Sequence, residues 1–307
     1  MSAFQILDRE RTLINPTADR VRDVAALARA RQRARRGLFL VEGPQAVREA
    51  LAAHARGPLL DAVYVTPACL EQDPSLGEAI AAAAGSPAPT APGGPARRVF
   101  ARLAAPEVLA AMAESQTPQG VLAVAHSAAA LSGLPGAQDW PDLGAVMVRV
   151  QDPGNAGTLI RAADAAGAGF AAATAGSVDL LNPKAVRSTA GSLFHLPVAA
   201  HQTLPDLVEA ARTAGAQILA ADGHAALDLD ELADAAAAQC PGDGADLRRP
   251  TVWLFGNEAQ GLSEEEKGLA DARVAVPLHG RAESLNVGMA ATVCLYASAR
   301  AQRRRPR

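Results

Sequence analysis

Short apolar runs alternate with amphipathic stretches along most of the chain. In the second half, the runs "LGAVMVRV", "GFAAATA", "AQILAAD" and "TVWLF" are separated by stretches with helical periodicity. Strands that are apolar throughout and alternate with helices predict an α/β fold with a parallel sheet covered on both faces. The first part shows the same alternation on a smaller scale, in "GLFLVEG", "PQAVREALAAHA" and "LLDAVYVTP", and this predicts a smaller α/β domain there.

Two shifts in composition interrupt this alternation. The stretch "AAAAGSPAPTAPGGP" within residues 81–96 is rich in Pro, Gly and Ala and predicts a disordered insertion. The stretch "AAALSGLPGAQDWP", residues 128–141, precedes a continuous apolar strand and predicts a linker. The predicted domains are therefore residues 1–127 and 142–307, a division that the length of 307 residues also favours.

The stretch from Thr251 to Ala297 brings several element ends together. The strand "TVWLF" leads into a loop with Glu258, a second short strand follows, and after a turn around Gly280 a helix begins near Ser284 and Asn286. In open α/β sheets, ligands bind outside the carboxyl ends of the strands. This convergence therefore predicts a pocket.

A second polar segment, "DPGNAGTLIRAADAAG", follows the strand that begins at Ala145. Its Pro and Gly residues predict a tight turn, in which Asn155 bonds the backbone and Thr158 caps the next helix. Arg161 lies on the polar side of that helix. It is either an ordinary surface arginine or a guanidinium aimed at a phosphate or a developing alkoxide. Glu258 likewise either caps a helix locally or organises Arg161 or an amide across the pocket.

Several other types of site do not fit the sequence. The run "GAGFAA" follows a helix and precedes a strand, which is the reverse of the dinucleotide-binding context. Ser192 and His195 lack the strand-to-helix elbow of a serine hydrolase, so a structural role is expected for His195. The three cysteines, Cys69, Cys240 and Cys294, are far apart and form no zinc motif. No segment resembles a signal peptide or a membrane span, and a reduced cytoplasmic location is the simplest expectation.

The charge distribution is uneven although the net charge is only −3. Residues 1–60 hold eleven arginines and six acidic residues, whereas residues 225–272 hold eleven acidic residues and three basic ones. The sequence from Asp19 to Arg36 predicts one helix, with Val21 and Val24 on its apolar stripe and seven arginines from Arg20 to Arg36 elsewhere. That helix is either a solvated basic surface or a surface that contacts phosphates.

Three segments together resemble the motifs of the SpoU-type RNA ribose 2′-O-methyltransferases of the SPOUT superfamily. They are "DPGNAGTLIRAADAAG", "LFGNEAQGL" and "VAVPLHGRAESLNVGMAATVCLYASA", and the intervening "LNPKAVRSTAGSLFHLPV" is also similar. The N-terminal "ARARQRARRGLFLVEGPQAVREAL" resembles the L30e/L7Ae-like substrate-binding domain that precedes the catalytic domain in many members. The resemblance covers most of the chain.

The resemblance carries expectations that the residue pattern alone does not give. It implies a C-terminal trefoil knot, S-adenosyl-L-methionine as methyl donor without a metal, and a homodimer. The small residues after Asn286 could support close helix packing in such a dimer; they are Ala290, Ala291, Cys294 and Ala297. The positions that match donor-binding residues are Gly256, Val276 and Leu285. The positions that match active-site residues are Asn155, Arg161, Glu258, Ser284 and Asn286.

The expected substrate is a ribose 2′-hydroxyl of structured RNA, with ribosomal RNA favoured over transfer RNA. Because a guanidinium is effectively always protonated, Arg161 is expected to stabilise charge on the attacking oxygen and an adjacent phosphate rather than to accept a proton. Ser284 and Asn286 would orient it, and Glu258 or Asn155 would fix the loops. Three alternatives remain open, namely a knotted RNA-binding protein without catalysis, a nucleotide-dependent oxidoreductase, and methyl transfer to a base.

Overall fold

The computed structural model describes residues 12–85, 88–89, 96–239 and 244–304. The chain divides into two compact units. Unit 1 comprises Met1–Ala130 and Leu181–His195, and unit 2 comprises Leu131–Leu180 and Leu196–Arg307. The pattern of the sequence does not predict that the segment Leu181–His195 belongs to unit 1.

Unit 1 contains a mixed four-stranded sheet with short helices. The strands are β1 (Leu38–Glu42), β2 (Leu60–Val65), β5 (Phe100–Leu103) and β6 (Val121–His126), and the two-residue strands β3 (Ala88–Pro89) and β4 (Ala96–Arg97) pair with each other. The helices are α1 (Asp19–Ala25), α2 (Ala30–Arg36), α3 (Pro44–Arg56), α4 (Pro67–Gln72), α5 (Pro74–Gly85), α6 (Pro106–Met112), α7 (Ser127–Ala130) and, from the second segment, α9 (Pro183–Ser188). The strand order is β1-β6-β2-β5, and β2 and β5 are parallel whereas the other neighbours are antiparallel. A small α/β domain, as predicted, is thus present.

The prediction of a single helix from Asp19 to Arg36 is wrong. The chain forms α1, a 3₁₀ turn over Ala26–Ala28, and α2, and Arg29 between them is extended, with φ −94° and ψ 129°. The break turns Arg33 inward, where its side chain donates to the carbonyl oxygens of Leu27 and Ala28 at 2.9 and 2.8 Å. Arg33 is 3% exposed, so one arginine of the predicted basic surface is part of the interior.

Two further element predictions in unit 1 need correction. Helix α5 continues to Gly85, so the first residues of the insertion predicted at 81–96 are helical; residues 86–87 and 90–95 of that prediction lie outside the described residues. The stretch "AVRSTAGSLF", for which the same alternation of strands and helices predicts a helix, forms only α9, which is capped by Asn182. It stops early because Ala190 and Gly191 have positive φ, 50° and 101°, and a 3₁₀ turn follows over Ser192–Phe194.

Unit 2 is built on a seven-stranded sheet in which all neighbouring strands are parallel. The strands are β7 (Leu143–Met147), β8 (Phe170–Thr174), β9 (Val198–Gln202), β10 (Gln217–Ala221), β11 (Leu227–Asp228), β12 (Thr251–Phe255) and β13 (Ala272–Ala275), in the order β11-β13-β10-β12-β7-β8-β9. The helices are α8 (Pro153–Ala166), α10 (Leu204–Thr213), α11 (Leu229–Ala237), α12 (Glu264–Gly268) and α13 (Val287–Arg303). The predicted parallel sheet is confirmed.

The central strands of unit 2 are buried along their whole length. Every residue of β7, β8 and β12 is buried, as expected for strands covered on both faces. Gly144 of β7 lies under the ring of Phe170, where a Cβ atom would come within 2.2 Å of Cε1. Trp140 meets the same ring edge-on, with centroids 5.1 Å apart. The last residues of the predicted linker therefore pack into the core of unit 2.

Helix α8 begins earlier than predicted. Pro153, Gly154 and Gly157 form its first turns rather than a separate turn, and the cap is Asp152, whose carboxylate accepts from the backbone N–H of Asn155 at 2.8 Å. Thr158 is not the cap, since its hydroxyl donates to the carbonyl oxygen of Gly154 inside the helix. Within the described residues, no helix is both long and apolar enough to cross a membrane.

Candidate active site

A cavity of about 580 Å³ opens where the carboxyl ends of β10, β12 and β13 meet the start of α13. It is the pocket predicted from the convergence of element ends. Its lining includes seven of the eight predicted site residues: Asn155, Gly256, Glu258, Val276, Ser284, Leu285 and Asn286. Arg161 is not among the lining residues.

Glu258 ties the loop after β12 to the start of α8. Its Oε1 accepts from the backbone N–H of Asp152 and from Asn155 Nδ2, both at 3.0 Å, and its Oε2 accepts from the backbone N–H of Gln151 at 3.0 Å. Desolvation raises the pKa of Glu258, but the hydrogen bonds from Asn155 and the two backbone groups outweigh it, and the net pKa is below the usual value. The side chain is therefore an ionised acceptor that organises the loop, and a poor proton acceptor at neutral pH.

Asn155 and Asn286 extend this network to the last helix. Asn286 Nδ2 donates to Asn155 Oδ1 at 2.8 Å, and Asn286 Oδ1 accepts from the backbone N–H of Gly288 at 2.9 Å, which caps α13. Both ends of each amide are thus assigned. Asn286 thus caps the helix that the sequence predicts to begin near Ser284 and Asn286, whereas Ser284 lies two residues before this cap, exposed on the cavity wall.

A second set of bonds holds the loop that follows Gly256. Asn257 Nδ2 donates to the carbonyl oxygen of Arg149 at 3.0 Å, and Asn257 Oδ1 accepts from the backbone N–H groups of Ala259 and Gln260. Gly256 is required by close packing, because a Cβ atom there would lie 2.4 Å from the backbone of Gly261 and Leu262. The loop can therefore present its backbone to the cavity.

Arg149 contributes to the same loop and was not predicted as a site residue. It adopts φ 55°, which is uncommon for a residue other than glycine, and its guanidinium forms two 2.7 Å hydrogen bonds to Glu266. Glu266 also completes the capping box of α12 with Ser263. Sequence reasoning missed this pair because nothing in a lone arginine 117 positions before a glutamate predicts their contact.

Arg161 lies on the exposed side of α8. In the described part of the chain, it makes no hydrogen bond or ion pair with another residue. Ser284 and Asn286 were expected to orient it, but neither forms a hydrogen bond with it here. The side chain of Asn286 is bonded instead to Asn155 and Gly288. Its guanidinium is available to a bound ligand.

Comparisons with known proteins agree with this geometry. The SpoU rRNA Methylase family model matches residues 142–296, and the MRM3-like substrate binding domain model matches residues 18–123. Together with the parallel sheet and the cavity at its strand ends, the match to the methylase family identifies an α/β methyltransferase. The chain belongs to the SpoU rRNA methylase family, and the assignment as a methyltransferase made from its motifs is confirmed.

Three similar proteins illustrate the match. An uncharacterized tRNA/rRNA methyltransferase of Synechocystis sp. is 34% identical over 92% of this chain and 91% of its own length. A 23S rRNA (uridine(2479)-2′-O)-methyltransferase of Streptomyces viridochromogenes is 37% identical over 64% of this chain and 66% of its own length. The crystal structure of an AdoMet-bound rRNA methyltransferase from Sinorhizobium meliloti superposes with a TM-score of 0.73 at 26% identity, covering 94% of this chain and 97% of that one.

Proposed function

We propose that the protein transfers a methyl group from S-adenosyl-L-methionine to a ribose 2′-hydroxyl of structured RNA, with ribosomal RNA as the first substrate to test. The observation that carries this proposal is the Asn155–Glu258–Asn286 network at the rim of the cavity. Two relatives support it, because the proteins that are 37% and 31% identical to parts of this chain are named as 23S rRNA 2′-O-methyltransferases.

The cavity fits this methyl donor in size and chemistry. Its volume of about 580 Å³ lies within the range of small-molecule sites, roughly 300–1,000 Å³. Apolar side chains of Val276, Leu278 and Leu285 line it beside the backbone of the loop that starts at Gly256. The close approach of that loop leaves peptide N–H and C=O groups at the wall, which suits recognition through backbone hydrogen bonds.

The bound donor supplies an electrophilic methyl group, so the residues of this chain must act on the ribose. The 2′-oxygen gains negative charge as it attacks, and the unpaired guanidinium of Arg161 would stabilise that charge and a neighbouring phosphate. Ser284 on the cavity wall would hold the hydroxyl. Asn155, Glu258 and Asn286 keep the loops in place before the substrate binds.

The resemblance to this family also supports a knotted C-terminal segment and a homodimer. The dimer surface that we propose is the exposed face of α13 with Met289 (62% exposed), Val293 (42%) and Tyr296 (48%). Of the small residues expected to pack against a partner, Ala291 and Cys294 are fully buried in their own unit, so that only Ala290 and Ala297 remain candidates for such a contact. A ribosomal RNA substrate would place the enzyme in the cytoplasm.

We expect the transfer to require no metal ion, because the methyl group of the donor is already electrophilic. Activity that persists in EDTA would support this part of the proposal, and activity restored only by an added divalent cation would contradict it.

The proposal is tested by methyl transfer in vitro. The full-length protein is incubated with labelled S-adenosyl-L-methionine and unmodified transcripts of 23S rRNA or of tRNA, and nucleosides are analysed by mass spectrometry. A 2′-O-methylated nucleoside from 23S rRNA is expected. Label in tRNA would redirect the substrate, label on a base would overturn the ribose assignment, and donor binding without transfer to any RNA would favour a non-catalytic role.

Arg161→Ala tests the role of that guanidinium. We expect turnover to fall by about 10²-fold or more, the scale for removing one group that stabilises an oxyanion, with little change in donor affinity. Asp164→Ala, which changes an acidic residue one turn later on the same helix, is the control. Normal turnover with normal RNA affinity in Arg161→Ala would remove it from the active site.

A further inference from the structure

The seven arginines between Arg20 and Arg36 divide into two groups in unit 1. Four have partners in the protein, namely Arg20, Arg22, Arg33 and Arg36. Three have none among the described residues, namely Arg29, Arg31 and Arg35. We propose that Arg31 and Arg35, on the outer face of α2, are the pair that contacts RNA phosphates, and that the partnered arginines are structural. This inference rests on the proposed function.

The four partnered arginines are held by specific contacts. Arg20 Nε donates to Tyr64 Oη at 2.7 Å, and its guanidinium stacks 3.5 Å from the centroid of Phe100. Arg33 is buried on backbone carbonyl groups. The remaining two are ion-paired, Arg22 with Asp19 and Arg36 with Asp23. Their charges are already balanced or fixed inside the unit, so they offer less to a polyanion.

Arg31 and Arg35 lie on the opposite side of α2 from the buried Arg33. Residues four apart share one face of a helix, with their Cβ atoms about 5–6 Å apart. Both are exposed, and so are Ala30 and Ala34 next to them in the sequence, whose short side chains leave that side of the helix open. Two guanidinium groups on one open face can reach neighbouring phosphates of one RNA strand.

The charge of α2 gives a reason for an external anion. The helix has only seven residues, four of them arginine, and no acidic residue in its first turn. Like charges at i and i+4 destabilise a helix by about 0.2–0.5 kcal/mol. A phosphate backbone bound to this face would remove the repulsion, and a protein carboxylate does not do so within the described ranges.

The test compares two double variants with the same change in charge. Arg31→Gln/Arg35→Gln removes the free pair, and Arg22→Gln/Arg36→Gln removes two exposed but ion-paired arginines of the same segment. The affinity of each full-length variant for an unmodified 23S rRNA transcript is measured over a series of KCl concentrations. Thermal melting of each variant checks that unit 1 remains folded.

Arg31→Gln/Arg35→Gln is expected to weaken RNA binding roughly tenfold or more at low salt. It should also reduce the slope of log K against log[KCl] by about 1 for each arginine removed. The ion-paired double variant should keep both the affinity and the slope of the wild type. Equal losses in the two variants, no loss in either, or no RNA binding by the wild type would overturn the inference. Donor binding and methyl transfer by the wild type are measured separately, so the proposed function can stand when this surface assignment fails.

Discussion

The guanidinium of Arg149 and the carboxylate of Glu266 form a two-pronged ion pair with both hydrogen bonds at 2.7 Å. The pair joins the chain just after β7, where Arg149 lies, to α12, the helix that follows the cavity loop. Hydrogen bonding to Glu266 raises the pKa of Arg149, and hydrogen bonding to Arg149 lowers the pKa of Glu266. Both groups therefore stay charged around neutral pH, and the loop between Gly256 and Ser263 is held at both ends.

Breaking this pair is expected to weaken methyl-donor binding. Arg149→Ala removes the guanidinium but keeps a side chain at φ 55°, so the loop loses its tie while the backbone strain remains. We expect the Kd for S-adenosyl-L-methionine to rise by about tenfold, because a bidentate charged pair is among the stronger polar contacts. Isothermal titration calorimetry measures the change.

Arg273→Ala is the matched control for that experiment. Arg273 pairs at 2.9 Å with Glu264, which lies in α12 as Glu266 does, but the side chains of Arg273 and Glu264 are both well exposed. Exposed pairs contribute about 0–1 kcal/mol, so donor affinity should not change. Equal losses in Arg149→Ala and Arg273→Ala would show that the geometry of the Arg149 pair has no special role.

Glu258→Gln is expected to disrupt the start of α8. Three N–H groups point at two carboxylate oxygens, and an amide replaces one of those oxygens with a donor. Leaving a donor unsatisfied costs about 1–3 kcal/mol, so we expect a lower melting temperature and a loss of activity. Glu265→Gln, an exposed residue without a described partner, should leave both unchanged.

The same side chain predicts a dependence of stability on pH. Because the folded pKa of Glu258 lies below its unfolded value of 4.5, its contribution is present above that value and is lost as pH falls through the folded pKa. Urea unfolding between pH 6 and pH 3 should show a smaller loss in Glu258→Gln than in the wild type. An identical pH profile for the two proteins would contradict the assignment.

Gly256→Ala tests the packing of the cavity loop. Its added Cβ atom would lie 2.4 Å from the backbone carbon of Gly261 and from the nitrogen of Leu262, so the loop must move. We expect donor binding to be lost or strongly reduced while the fold persists. Gly280→Ala, where a Cβ atom meets nothing within 4 Å, serves as the control, and donor affinity retained in Gly256→Ala would show that the loop adapts.

Much of the fold follows from local sequence. Continuous apolar strands such as β7 and β12 and the cap at Asn286 are predictable because burial on both faces and a helix N-terminus each leave a local pattern. The pocket follows from where those elements end. The five residues assigned to the active site come from the resemblance, and the structure places four of them at the cavity and Arg161 outside its lining.

The features that sequence reasoning missed depend on distant contacts. No Gly or Pro marks the break in the helix at Arg29 in the sequence. The break goes with the burial of Arg33, whose side chain donates to carbonyl groups of the preceding turn. The early start of α8 depends on Asp152, because both Asp152 and Thr158 could cap a helix here. Asp152 caps it in the structure, and its backbone N–H also donates to Glu258. A propensity for capping does not distinguish the two positions.

His54 gives unit 1 a separate sensitivity to acid. Its Nδ1 accepts from the backbone N–H groups of Leu59 and Leu60, both at 3.1 Å, which only an unprotonated Nδ1 can do. Burial lowers the pKa of His54 below 6.5, and the nearby His126 lowers it further. A base with a lowered folded pKa stabilises the protein above its unfolded pKa, so this contribution is lost as pH falls below 6.5 through the folded value.

Hydrogen exchange of the Leu59 and Leu60 amides should therefore accelerate, relative to the intrinsic rate, between pH 7 and pH 5. His201→Asn, at an exposed position with φ 58° that asparagine tolerates, should leave this dependence unchanged, whereas protection that stays constant over the range would rule out protonation of His54 as the cause.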